Sequence, residues 1–252
     1  MRFLRNFLLT LLVLLGLTVL VVARFPAATA IGWLGGRIGP LELDRVGGTV
    51  WEGYAQQTRV LGEPVGRLRW SLGPTSVLRG APRLDLELEG ERYQGRTEAV
   101  LAGRAIELSG TRLRLPAGTL KPALGIPGIV PDGIVELDLP VARIENGYPT
   151  AVQGRAVWRE AVVSGADTVA LGDIEMEFAS QGGGIAGVIK DLGGPLQVEG
   201  SFEFGLRGYE AEVLLTPRSE EPALQRVLGR IGEPQPDGGR YLHITGSLLP
   251  VR

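Results

Sequence analysis

The chain has 252 residues, 44% hydrophobic and 21% charged, with 26 basic and 28 acidic side chains and a formal net charge of -2. That balance gives no basic field for a nucleic-acid backbone, and the length suits one large domain or two small ones with a real core. No cysteine and a single histidine, His243, rule out disulfides, thiolate metal sites and iron–sulfur clusters, and leave one candidate imidazole for a hydrolase triad.

Arg2 and Arg5 precede an apolar stretch from Phe7 to Ala23, broken only by Thr10, Gly16 and Thr18 and closed by Arg24. As a helix it would be ~26 Å long, close to the ~30 Å hydrocarbon core of a bilayer. Residues 1–25 are therefore expected to form a transmembrane anchor, with the amino terminus inside and the remainder outside the cytoplasm. Ala28-Thr29-Ala30 offers a rival reading as a signal-cleavage site, although the apolar stretch exceeds the ~7–15 residues of a signal core. Residues 26–40 read as a linker with a short helix over Ala27–Leu34, ended by Gly35-Gly36. Its Ile31, Trp33 and Leu34 suit either a membrane interface or packing on the following domain.

From Leu41 onward the period is two. Leu84, Leu86 and Leu88 alternate with Asp85, Glu87 and Glu89. Ile174, Met176 and Phe178 alternate with Asp173, Glu175 and Glu177, and Phe202 and Phe204 with Ser201 and Glu203. One apolar and one charged face per strand is the pattern of antiparallel sheet. Further strands are expected at Val46–Trp51, Ala55–Val60, Gly66–Leu72, Gln94–Leu101, Ile106–Leu115, Ala151–Trp158, Ile185–Lys190, Tyr209–Thr216 and Tyr241–Leu248. Turns are expected at Gly73-Pro74, Gly90, Pro131-Asp132-Gly133, Asn146-Gly147, Gly193-Gly194 and Pro236-Asp237-Gly238. Near the end, Ser219 can cap a helix in which Leu224, Val227, Leu228 and Ile231 form an apolar stripe that Gly232 stops. The expected fold is thus all-β: a curved, mainly antiparallel multi-strand sheet over 41–252, after a transmembrane helix and with one short C-terminal helix. Pro116–Gly133 is the candidate boundary between sub-halves 41–120 and 130–252. Gly66-Arg67-Leu68-Arg69-Trp70 and Gly154-Arg155-Ala156-Val157-Trp158 form a faint internal echo. About a dozen strands and one helix leave three solutions for the apolar faces: closure, a sandwich, or an open groove for a partner or lipid.

No constellation assembles a catalytic set. Gly182, Gly184 and Gly187 match a G-x-G-x-x-G pattern, but a strand follows where a dinucleotide site needs a helix; a glycine-rich hairpin is expected. The acid runs Asp85/Glu87/Glu89 and Asp173/Glu175/Glu177 read as solvated sheet faces rather than paired catalytic carboxylates. His243 shares the polar face of its strand with Thr245. No cofactor and no metal are expected. Trp51, Trp70 and Trp158, at predicted strand ends, suit core packing or partner contacts.

The chain resembles the type II secretion system protein N family. The resemblance rests on the N-terminal anchor, Gly48-Thr49-Val50-Trp51-Glu52-Gly53, Leu68-Arg69-Trp70-Ser71-Leu72 and Gly154-Arg155-Ala156-Val157-Trp158. It continues through Leu192-Gly193-Gly194-Pro195-Leu196, Thr216-Pro217, and Gly239-Arg240-Tyr241 with Ile244-Thr245-Gly246-Ser247-Leu248. The resemblance implies a non-enzymatic, single-pass inner-membrane component facing the periplasm, whose partners are other secretion-system components. The family's curved β architecture is also similar to that of AsmA-like proteins, which makes periplasmic lipid binding or lipid transfer the alternative function and lipid a further candidate ligand.

Overall fold

The computed structural model describes residues 21–33, 35–38, 40–120, 130–146, 148–165, 167–205, 208–219 and 221–246. The expected anchor Phe7–Ala23 lies outside these except for residues 21–23, which are helical. Among the described residues no helix is long and apolar enough to cross a membrane. Two compact units are present, residues 1–91 and 92–252, and both are built from antiparallel strands.

The first unit contains α1 (Ala27–Trp33), β1 (Arg37–Ile38), β2 (Leu41–Gly48), β3 (Glu52–Val60), β4 (Glu63–Leu72), α2 (Pro74–Leu78) and β5 (Arg83–Glu89). Its strands pair in chain order, each with the next. Leu61 and Gly62, both at positive φ, turn β3 into β4 between the paired Val60 and Glu63, the backbone that two-residue hairpins need. The predicted helix after Pro26 is present. Ile31 packs on Leu43 and Ala55, with Val46, Leu68 and Trp70 around them, whereas Trp33 is exposed and meets Phe25 at a ring distance of 5.4 Å.

The second unit contains β6 (Gln94–Ala102), β7 (Ala105–Pro116), a 3-10 turn (Ala117–Leu120), β8 (Val130–Glu145), β9 (Tyr148–Ser164) and β10 (Thr168–Gln181). There follow β11 (Gly184–Asp191), β12 (Leu196–Gly205), β13 (Gly208–Pro217), α3 (Pro222–Leu228), β14 (Glu233–Pro234) and β15 (Arg240–Gly246). Strands β6 to β13 again pair in sequence, then β15 pairs β13 and β14 pairs β15. The result is an open, not closed, antiparallel sheet with few helices among the described residues.

Several sequence expectations are corrected. Pro131-Asp132-Gly133 is not a turn but lies inside β8. Gly133, at φ 103°, makes a bulge there, and a Cβ would sit 2.5 Å from the Arg159 carbonyl oxygen. The C-terminal helix begins at Pro222 after Glu221 and ends at Gly229, rather than running from a Ser219 cap to Gly232; Pro222 fixes the first helical φ and so sets the start. Gly73-Pro74 opens the unpredicted α2, which at five residues is too short to show a helical period. The strand expected at Val46–Trp51 instead ends at Gly48, where φ is 83°.

The largest core lies under α3. Leu224 and Leu228 pack on Val169, Ile174, Leu196, Val198, Val213 and Leu215. A smaller core of Ile31, Leu43 and Ala55 lies under α1, and between the two helices many apolar side chains are only half-buried. In β5 burial alternates between exposed and intermediate without one fully buried residue, as a sheet without a second layer requires.

Candidate functional site

In the first unit, Leu68, Trp70 and Leu72 of β4 stand opposite Leu88, Leu86 and Leu84 of β5. All six are half-buried and form a continuous apolar surface. In the second unit the strand register aligns Phe178 of β10 with Gly187 of β11, Gly187 with Phe202 of β12, and Phe202 with Ala211 of β13. Phe178 and Phe202 face one another across Gly187 at 6.4 Å.

Glycines make this surface possible by letting rings lie flat across the neighbouring strand. A Cβ on Gly187 would fall 2.6 Å from the Phe202 ring, and one on Gly154 would fall 2.9 Å from Phe178. Trp70 covers Gly53, and Tyr209 covers Gly246, in the same way. Each ring thus shields backbone that would otherwise be wet. At the Phe204 and Tyr209 end lies a cavity of about 810 Å³, whose lining also includes Ile185, Glu210 and Thr245.

The opposite face is ionic. Glu175 of β10, 3% exposed, accepts from Arg155 of β9 and sits 2.9 Å from Lys190 Nζ of β11; Lys190 also reaches Glu177 at 3.3 Å. The hydrogen bond from Lys190, then that from Arg155, holds the Glu175 carboxyl below its usual range against the opposing pull of burial. Arg159 joins Asp173 at 2.8 Å and Glu136 at 3.2 Å, and Asp173 is likewise held down, chiefly by Arg159. Burial pushes Asp191 up, but Arg218 and the Val198 and Gly193 amides outweigh it and hold the carboxyl at about 2. These carboxylates are kept ionised, the reverse of what a general acid needs at neutral pH.

The expectation of solvated acid runs holds for Asp85, Glu87 and Glu89, which are exposed and paired in part with Arg69. It fails for Glu175, whose burial follows from flanking cations on both neighbouring strands. Gly182 and Gly183 form the hairpin turn between β10 and β11, both at positive φ. His243 Nε2 lies 2.9 Å from Glu210 Oε1. Together with Glu212 these two make a cluster of potential ligands, but all three are exposed, as acidic strand faces commonly are.

Trp51 and Trp70 belong to the first unit and Trp158 to the second. Trp51 precedes β3 and donates Nε1–H to the Val22 carbonyl at 2.8 Å. Trp70 lies within β4 on the apolar face. Trp158 lies within β9, packs against the core under α3 and donates to the Asp132 carbonyl at 2.8 Å. The glycine–aromatic pairs escape sequence reading because their only signal is register, which needs the strand pairing first.

In each unit an antiparallel sheet carries one largely apolar and one ionically cross-linked face, which defines an all-β protein of open-sheet type. The family model for Type II secretion system (T2SS), protein N matches residues 39–243. The chain is 31% identical over 236 residues to the type II secretion system protein N of Vibrio cholerae serotype O1, covering 88% of this chain and 90% of the relative. No solved structure matches. The chain belongs to the type II secretion system protein N family.

Proposed function

We propose that this protein is a non-enzymatic accessory component of the type II secretion machinery, held in the inner membrane by Phe7–Ala23 and acting from the periplasm through its β-domain, 41–252. Family membership supports the secretion role. The observation that carries the mode of action is the apolar face of β4 and β5, left half-exposed where a self-sufficient domain would bury it. A partner surface laid on Leu68, Trp70 and Leu86 would complete that core, and Trp70 is the tryptophan placed to meet it. Trp51 and Trp158 are occupied as anchors by their indole hydrogen bonds.

A photo-crosslinking residue at Leu86, introduced into the full chain in cells that carry the secretion machinery, tests this reading. Crosslinks to another secretion component, with the uncleaved chain in the inner-membrane fraction, are expected. Crosslinks confined to phospholipid would refute the protein-contact reading in favour of lipid handling.

A further inference from the structure

The last strand of the sheet has one open side. β13 pairs with β15 along its whole length, from Arg240 to Gly246, while β14 covers only Arg240 and Tyr241 on the other side. Among the described residues, nothing pairs with 242–246 there. The outer edge of the first unit is treated differently. β1 pairs with Leu41 and Glu42, the Leu43 amide donates to Gly36 at 3.0 Å, Pro26 bridges to Thr49, and the Val50 amide donates to Phe25 at 3.1 Å. Five residues of free strand span ~16 Å, and their unpaired amides and carbonyls are a template for another strand.

The chemistry beside this edge is one-signed. Alternation puts Leu242 and Ile244 on the apolar face, next to Val213 and Ala211. On the polar face His243 stands opposite Glu212, Thr245 opposite Glu210, and Tyr241 opposite Glu233. Glu203 pairs with Glu210 one strand further in. These four glutamates are exposed. On β12, β13 and β15 the basic residues are Arg240 and His243, and Arg240 falls on the opposite face, opposite Leu215 of the core. The Tyr241 phenol is pushed above its usual range, chiefly by its hydrogen bond to Glu212, with the charges of Glu233 and Glu210 adding to the effect.

That charge also decides between occupants. A second copy paired β15 to β15 about a twofold axis keeps like faces on the same side, so two acidic faces would share one side of the joined sheet, with the His243 side chains as the only basic groups between them. Such a pairing adds like charge to one face and brings no cation to meet it, whereas a basic segment would complement it. Head-to-tail assembly needs the opposite edge, which is closed. We propose that the open edge of β15, residues 242–246, takes up by strand addition an extended segment of a different protein in which apolar residues alternate with lysine or arginine. Its apolar side chains would continue the row of Leu242 and Ile244, and its long cationic side chains would reach across β15 toward Glu210 and Glu212.

This inference rests on the reading of a protein that works through protein contacts, but its test addresses the edge directly. The probe is a fluorescein-labelled peptide, Thr-Val-Lys-Ile-Arg-Val-Lys-Ile-Thr, titrated by anisotropy against the full-length protein in non-ionic detergent. Saturable, salt-sensitive binding is expected. It should weaken by roughly tenfold or more with the double variant Glu210→Lys/Glu212→Lys, and also with a peptide N-methylated at alternate amides. Glu87→Lys/Glu89→Lys, an equal charge change on the first unit, should leave affinity unchanged. Because the chain has no cysteine, Thr245→Cys supplies a unique thiol for a spin label, which should broaden on addition of a peptide labelled at its centre. No saturable binding, equal binding of the N-methylated peptide, or equal weakening by the distant reversal would each overturn the assignment. Such a failure alongside a secretion-component crosslink at Leu86 would leave the proposed function standing; peptide binding without that crosslink would leave the edge standing alone.

Discussion

Replacing Leu224 by alanine tests whether α3 is a working cover for the sheet. The helix has seven residues, too few to persist in isolation, so its place depends on what it buries. Leu224 is 0% exposed and Leu228 4%. Truncation removes about three methylene equivalents, roughly 2.4 kcal/mol of transfer free energy at ~0.8 each. Ile174, Val198 and Leu215 beneath it are fixed on paired strands and cannot close the cavity fully, which brings the expected loss to about 3–4 kcal/mol. At ~2–4 °C per kcal/mol for a unit of this size, the melting temperature should fall by about 6–16 °C. Urea and thermal unfolding followed by tryptophan fluorescence will report it, because Trp158 packs against the same cluster. The control is Gln225→Ala, on the exposed side of the helix, expected to change stability by no more than ~0.5 kcal/mol. A loss below ~1 kcal/mol for Leu224→Ala, or an equal loss in the control, would show that α3 does not seat on the strands.

Three further substitutions probe the faces. Gly53→Val must displace Trp70, whose ring would lie 2.6 Å from the new Cβ at its Cε2; a loss of ~1–3 kcal/mol with red-shifted emission is expected, and unchanged emission would contradict the packing. Glu175→Gln should cost about 1 kcal/mol at pH 7, less than a fully buried pair, because Arg155 and Lys190 are 52% and 47% exposed and keep water. Since its folded pKa is lowered, that stability is present above the unfolded value and lost as pH falls through the folded one, so denaturation curves of variant and parent should converge in acid. Asp191, at about 2 against 3.8, follows the same sign. Full linkage would be ~2.4 kcal/mol, which solvent around the 41%-exposed Arg218 reduces to about 1–1.5. Asp191→Asn should lose this at pH 7 and converge on the parent as pH falls through about 2, and an equal deficit at both ends would argue against the ion pair.

Alternation made the all-antiparallel sheet readable from sequence, because each strand carries its own two-faced pattern and needs no partner to show it. Asn146 at φ 51° and the Gly182-Gly183 pair sit where turn chemistry placed them. Strand ends were less legible: β9 extends to Ser164, six residues past the predicted end at Trp158, since pairing with β8 and β10 holds residues whose own pattern is weak. The Gly133 bulge looked like a turn because proline, aspartate and glycine supply the same local freedom to both, and only the opposing Arg159 and Glu160 carbonyls decide between them. The open face was legible as one of three alternatives. One helix for so many apolar strand faces posed the problem, but which solution the chain adopts depends on pairing across many strands.

A single-layer sheet has to replace the rigidity that a second layer would supply. In the second unit two devices do so. Rings laid over Gly154, Gly187 and Gly246 fix neighbouring strands from the apolar side, and the Arg155–Glu175–Lys190 ladder fixes β9, β10 and β11 from the polar side. Both devices act between adjacent strands and neither occupies the space above the apolar face. The sheet can therefore hold its register while Phe178, Phe202 and Phe204 stay half-buried rather than covered. A cover helix over the whole surface would have stabilised the isolated chain more, as α3 does locally, but would have closed the apolar face that the proposed protein contacts require.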